Sequence, residues 1–592
     1  MHDTVIRGGT VIDGTGNAGF VADVAISNGV ITHVGAVTGP AREVIDAQGA
    51  IVTPGFIDVH THYDGQFLWD DRLDPSFSHG VTTAIGGNCG VGFAPVRPEH
   101  RTALIELMEG VEEIPGVVLD EGLDWNWTSF PDYLNRLAER QYTMDIASHI
   151  THAPLRVFVM GERALRHEAA TADDVAQMAG LVREAMDAGA VGFSGARLIE
   201  HLSSKGDNVP GTFADDDELL TIAKAMGESG HGTFQIIPLG GVGAVMYDQA
   251  GRDARRAEHD RIVRIAEVSG RPLTYSLVQF NSDSTDWQMM VEESERAAAA
   301  GLPITPQVGA RGVGAMTMLD GYHIFMLRAS YHEVAHLPLA ERVAALRNPD
   351  RRAAILAEQS DPALVAQDLK LAAFIDTLRG RIGGIFPMTL PLNYEPAAEG
   401  KLEVLAAQAG VPMEEYLYDH YCAGDGSNVC ASHALNFAGG GLDATYEMLR
   451  RDITASGLAD GGAHMKMICD ASMPTFMLSF WGRDRSRGPG LPLEHIVRKL
   501  SAKNAELYGL DDRGRIAPGM RADINVIDHQ RLELHMPRMT HDLPMGSARL
   551  LQGSTGYIAT MVGGCITRRN DEETGARPGR LIRAGQAEAA LA

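Results

Sequence analysis

Short apolar runs alternate with longer helical patterns along most of this chain, and the alternation stops at both ends. Residues 1–52 carry only β-type runs, at 3–7, 21–26 and 30–34, separated by Gly-Gly, Gly-Asn and Asn-Gly. Asn28-Gly29 between two such runs signals a hairpin, because both residues tolerate positive φ. A sheet this small buries too little to stand alone, which predicts partners distant in sequence. From residue 53 the period changes. Apolar, β-branched runs at 56–59, 81–85, 144–150, 190–194, 233–238, 272–279 and 302–307 read as buried strands. Helical stretches at 172–188, 215–226, 259–268 and 287–300 separate the later ones at barrel-like spacing.

Residues 311–450 fit the alternation poorly. They are rich in helical segments (338–346, 354–378 and 401–420) and read as an insertion or an elaborated upper rim. Residues 453–464 then look like the last barrel strand, ending on Asp460, and a helix at 493–508 closes the barrel. The barrel unit is therefore expected over 53–510. Strand patterns return over 511–572, and these are the natural partners of 1–52. Residues 573–592, with Gly575, Pro578, Gly579 and Gly585, read as a surface tail.

Composition narrows the function. Of 592 residues, 45% are apolar and 22% charged, a globular balance. A formal net charge of -26 argues against nucleic acid or an anionic membrane as partner. No run of about 18 apolar residues is present, so no membrane span is expected. The five cysteines are sparse, odd in number and without tight pairing motifs, which suits a reducing compartment. The first residues lack a basic stretch followed by an apolar one, so a cytoplasmic location is expected.

The chemistry concentrates at strand ends. His60 and His62, two residues apart after an apolar strand, point to one side of an extended chain and can converge on one metal. Cys89 ends the next strand among glycines, either as a ligand or as a small buried thiol. His149 and His152 follow the third strand, and one of them is a candidate to approach the metal or substrate. Arg197 has the fork to pair with a substrate carboxylate, although a surface salt bridge is the blander reading. His464, four residues after Asp460, is a further candidate contact. Gly86-Gly87 does not make a phosphate cradle, and Ser194 lacks the two-sided glycine elbow of a serine hydrolase.

Several ordered motifs resemble the metal-dependent amidohydrolase superfamily, and within it the D-aminoacylases (N-acyl-D-amino-acid deacylases). They are Pro54-Gly-Phe-Ile-Asp-Val-His-Thr-His62, the Gly-Val-Thr-Thr run ending Gly87-Asn-Cys-Gly90, Ala190-Val-Gly-Phe-Ser194, Ala459-Asp-Gly-Gly-Ala-His464 and Arg513-Gly-Arg-Ile-Ala-Pro-Gly-Met-Arg-Ala-Asp523. The resemblance implies an α/β fold: a (β/α)8-like TIM barrel with a small β-sandwich built from both termini. It implies His60, His62 and Asp460 around one metal position, Cys89 at the neighbouring one, and Asp460 as the proton-handling base. Zinc is the implied cofactor, and a homo-oligomer the implied assembly.

One departure stands out. Gln235, and either Ser276 or Gln279, occupy strands where the family has two further histidines. Amides and hydroxyls are poorer zinc ligands than imidazole, so one zinc is expected in place of a standard pair, with two as the alternative. Gln235 joins His152, Arg197 and His464 as a candidate substrate contact. The expected reaction is metal-assisted hydrolysis of the C–N bond of a small N-acyl amino acid or related amide, with Asp460 carrying the proton. The alternatives are hydrolysis of a cyclic amide, carbamate or ester, or a non-catalytic relative.

Overall fold

The computed structural model describes residues 1–240, 249–281 and 283–586. Its centre is a parallel barrel. Phe56–Asp58, Val81–Gly86 and Asp145–Ser148 pair in parallel as the first three strands. The third is interrupted at His149 and resumes as Ile150–Thr151, which starts the run Gly192–Ala196, Thr233–Ile237, Leu273–Leu277, Ile304–Val308 and Ala455–Ser456. Counting the interrupted strand once, these are eight. The ring closes where the Thr61 segment bridges Gly461 in parallel and the His62 N–H donates to the Gly461 carbonyl at 2.8 Å. Asn504 reinforces the seam, donating from Nδ2 to the carbonyls of Ile57 (2.8 Å) and Ser456 (3.0 Å). Every residue of the fourth to seventh strands is buried, the polar Ser194, Gln235, Thr274, Ser276 and Gln307 included, and none of these strands carries a charged residue.

Both chain ends form one nine-stranded mixed sheet. His2–Val11 pairs with Phe20–Ser27, and Ile51–Pro54 pairs antiparallel with Ile524–Ile527. The hairpin after Phe20–Ser27 turns on Asn28 and Gly29, with φ of 53° and 74°. Ile6, Val24 and Val52 from one end share a core with Ile524, Val526 and Met561 from the other, so neither half is a sheet by itself. Arg513 and Arg521 tie this sheet to the barrel floor. They reach Asp145 Oδ2 at 2.6 and 3.1 Å, at the start of the third strand, and Arg513 also donates to Thr83 Oγ1.

The expected surface tail is stitched down instead. The Ile582 N–H donates to Ile146 O (2.7 Å), the Arg580 N–H to Asp145 Oδ1 (2.9 Å), and Leu581 and Ile582 are buried. Gly and Pro mark irregular backbone, but irregular backbone still hydrogen-bonds when it runs along a sheet edge. Residues 587–592 lie outside the described residues. The long connection between the seventh and eighth strands carries its own core, including Ile324, Phe325, Leu346, Ile355, Leu417 and Tyr421. Its helices are shorter than the sequence pattern predicts. The 354–378 stretch breaks at Asp361-Pro362 and Asp368, and 401–420 breaks at Gly410, in a left-handed conformation. Among the described residues no helix is long and apolar enough to cross a membrane.

Candidate metal centre

The mouth of the barrel brings His60, His62, Cys89 and Asp460 together. His60 and His62 leave the first strand, Cys89 follows the second, and Asp460 follows the eighth. Asn88 pins the Cys89 loop, donating from Nδ2 to Thr61 O (3.1 Å) and Ile85 O (2.9 Å). Five non-glycine residues here, Cys89, Glu113, Leu458, Asp460 and His464, have φ between 46° and 57°. Such backbone costs about 1–3 kcal/mol per residue and persists where packing holds it for function. Gly462, at φ 88°, admits no side chain: a Cβ there would lie 2.6 Å from Tyr63.

His60 Nε2 is 3.2 Å from Cys89 Sγ and 3.4 Å from Asp460 Oδ1, while His62 Nε2 is 3.6 Å from Cys89 Sγ and 3.8 Å from Asp460 Oδ1. Ligands of a tetrahedral zinc stand about 3.3–3.6 Å apart, given Zn–N near 2.0–2.1 Å and Zn–S near 2.3 Å. The donor atoms of His60, His62 and Cys89 all lie within 4.8 Å of one another. The ring orientations agree. His60 Nδ1 is 2.8 Å from Gln307 Oε1; with the proton on Nδ1 donated to that carbonyl, the Nε2 lone pair faces the cluster. His62 Nδ1 faces Glu112 Oε1 at 3.4 Å, the carboxylate behind an imidazole that tunes many metal sites.

The electrostatics point the same way. Burial, helped by Glu112, Asp460 and Asp64, pushes the Cys89 thiol well above its ordinary range. Burial, together with His60, His464 and His201, holds His62 neutral. Burial raises Glu112 to about 8, Asp58 to about 7 and Asp64 to about 7. A divalent cation reverses this logic, since it stabilises thiolate and carboxylate at once. The residues fit a metal site with room for one or two ions.

The remaining candidates divide. His464 stands at the rim: burial opposes its charge, but Glu113, 3.3 Å from Nδ1, with Glu112 and Asp460, draws it up to about 9. Gln235 lies inside the barrel beside Ser194, whose hydroxyl donates to Oε1 at 2.5 Å. His152 and Arg197 are engaged elsewhere. His152 Nε2 is 2.6 Å from Glu218 Oε1, and Arg156 pairs with the same carboxylate. Arg197 donates to Glu258 (2.8 Å) and to Ala214 O (2.5 Å). His149 donates from Nδ1 to Gly86 O and packs on the Tyr508 ring. Gln279 buttresses the loop at Asn436, whose Oδ1 accepts its N–H at 2.7 Å.

Sequence reading missed Glu112, Gln307 and Asp64. Glu112 carried a signal: it falls four residues after Met108 on the buried face of the helix Arg101–Glu112, and a carboxylate on an apolar stripe asks for a purpose. Gln307 carried none, because a glutamine ending a strand is ordinary.

Known proteins extend these observations. An uncharacterized protein of Mycobacterium tuberculosis is 26% identical over 652 aligned positions, spanning 100% of this chain and 97% of the relative. The D-aminoacylase of Alcaligenes xylosoxydans xylosoxydans is 32% identical over 231 residues, 39% of this chain and 43% of that one. Among solved structures, a D-aminoacylase superposes with a TM-score of 0.63 at 22% identity, covering 98% of this chain and 100% of that one. An N-acyl-D-glutamate deacylase from Bordetella bronchiseptica, solved with zinc and a phosphonate inhibitor, also gives 0.63, at 21% identity, covering 98% and 100%. These two establish the shared fold. Residues 43–568 match the amidohydrolase family, a span that takes in the barrel, the candidate metal cluster and the later strands of the two-ended sheet, and the chain belongs to that family.

Proposed function

We propose that this protein is a metal-dependent hydrolase that cleaves the C–N amide bond of a small N-acyl amino acid, with zinc held by His60, His62 and Cys89 and with Asp460 beside its open position. The observation that carries the reading is the cluster itself: two imidazole nitrogens, a thiol and a carboxylate oxygen separated by 3.2–3.8 Å. A bound zinc would polarise the scissile carbonyl and make water nucleophilic near neutral pH. Asp460 is the member of the cluster with an exposed face, its side chain 22% accessible against 1% for each histidine. It takes a proton as the water oxygen bonds to the carbonyl carbon, and returns it to nitrogen as the C–N bond breaks. One carboxylate serves both steps because they are sequential. Curated relatives named D-aminoacylase, N-acyl-D-aspartate deacylase and N-acyl-D-glutamate deacylase, 31–33% identical over 225–231 residues, support N-acyl amino acids as the substrate class.

The test is metal content per chain by mass spectrometry, with hydrolysis of a panel of N-acyl-D- and N-acyl-L-amino acids before and after chelation. About one zinc per chain and activity lost on chelation, regained on zinc addition, is the expected result. Turnover untouched by chelation would remove the mechanism.

A further inference from the structure

We propose that Gln235 and Gln307 form a neutral donor cradle for the carbonyl oxygen of the scissile amide and for the negative charge that gathers on it as its carbon becomes tetrahedral; this rests on the amide-hydrolase reading above.

The cradle follows from which ends of the two amides are already used. Ser194 Oγ accepts the Gly90 N–H at 3.0 Å, so its own proton goes to Gln235 Oε1, 2.5 Å away. Gln307 Oε1 accepts the Nδ1 proton of His60. Both amide carbonyls are therefore occupied, and both NH2 groups are left over. Gln235 Nε2 and Gln307 Nε2 are buried without a hydrogen-bond partner, as is Ser276 Oγ, and both glutamines are fully shielded from solvent. An unpaired buried donor costs about 1–3 kcal/mol, which argues for an acceptor in the working state.

Both amides are tethered to the metal cluster. Gln307 holds His60 directly, and Gln235 is tied through Ser194 to the backbone next to Cys89. Strand register sets their spacing: on the strand between them Gln235 aligns with Thr274, and Gln307 with Ser276, two residues further along. Gly457 leaves room for the second amide, since a Cβ there would sit 2.6 Å from Gln307 Oε1. The donors are neutral, so they favour an oxygen that is gaining charge without pairing permanently with an ion. Gln235, standing where an imidazole was expected, thus acquires a chemical role. It donates a hydrogen bond, and metal binding is left to the cluster of His60, His62, Cys89 and Asp460.

The experiment uses zinc-loaded full-length protein and methylphosphonate as a tetrahedral oxyanion probe, titrated by calorimetry, with zinc per chain measured in parallel. Gln235→Leu removes the donor. Gln235→Glu keeps the acceptor for Ser194 in an isosteric side chain, which covers a folding failure of the first variant, and turns the donor into a second carboxylate oxygen. Both are expected to weaken methylphosphonate at least tenfold with the original zinc retained. Loss of one donor to a developing oxyanion is also expected to lower kcat about 10²–10³-fold with little change in KM. Gln307 is left intact because it also holds His60. No methylphosphonate binding to the wild-type protein, or affinity within twofold of wild type in the variants, would overturn the cradle. A wild-type protein that hydrolyses no N-acyl amino acid would overturn the amidase reading instead, and the phosphonate titration would still decide the cradle.

Discussion

The mouth and the floor of the barrel both bury charge, and they treat it in opposite ways. At the floor, both oxygens of Asp145 are paired, by Arg513, Arg521 and the Arg580 N–H, and Asp523 Oδ2, which makes no hydrogen bond, is left 3.7 Å from the Arg513 guanidinium. At the mouth, Asp64 Oδ2, Gln235 Nε2, Gln307 Nε2 and Ser276 Oγ are buried without a hydrogen bond, while His62 Nδ1 and Glu112 Oε1 face each other at 3.4 Å. Buried polar groups are expensive unless partnered. A satisfied cluster is explained by holding the fold together. An unsatisfied one asks for a ligand, here a metal ion and a substrate oxygen. Left-handed backbone at five non-glycine mouth residues reinforces the contrast.

The comparison is broken or sharpened most strongly by His60→Ala. It should remove zinc and lower kcat/KM at least a thousandfold, a loss on the order of 4 kcal/mol, while the urea midpoint of the metal-free protein changes little. Arg513→Ala should do the reverse. Taking one of its two arginines from Asp145 should cost about 3 kcal/mol of stability, the low end for a broken buried pair because Arg521 and the Arg580 N–H remain, read as a lowered urea midpoint, with kcat of the zinc-loaded folded fraction unchanged. A floor variant that instead spared stability and abolished turnover would overthrow the distinction. Glu112→Gln is a milder probe of the mouth: zinc affinity, measured against a chromophoric chelator, should fall 10–100-fold.

The smallest effect tests a satisfied buried group away from the proposed ligands. His79, 2.9 Å from Thr475 Oγ1 and 2.8 Å from Gln552 O, is pushed by burial down to about 3. Between pH 6.5 and 3 the unfolded chain binds the proton and the folded chain refuses it, so this contribution to stability is full above 6.5 and declines as pH falls. The expected slope is up to about 1.4 kcal/mol per pH unit in that window. Urea unfolding at pH 7.5 and 5.5 should show it, and His79→Asn should flatten it.

Much of the fold was legible because it is local. Burial on both faces keeps the fourth to seventh strands free of charge, helical segments between strands impose the barrel alternation, and Asn28-Gly29 imposes a hairpin through φ alone. The sequence also marked His60, His62, Cys89 and Asp460, because metal-binding residue types at strand ends are visible one strand at a time. It misjudged residues 579–584, since hydrogen bonds to Ile146 and Asp145 leave no trace in glycine and proline content. His152 and Arg197 show the same limit: the type of a side chain names its chemistry, while Glu218 and Glu258, 66 and 61 residues away, decide whether it is free to act.

By itself, then, the sequence determined the alternation, the two-ended sheet and the identity of the candidate ligands, all set by short-range pattern and residue type. Only the tertiary structure decided that Glu112 stands behind His62, that Asp460 closes the ring against His60, and that two glutamines present unpaired donors beside the cluster. The physical reason is the closure of the barrel, which sets strand ends from opposite ends of the chain within hydrogen-bond reach and shields them from the water that would otherwise satisfy them.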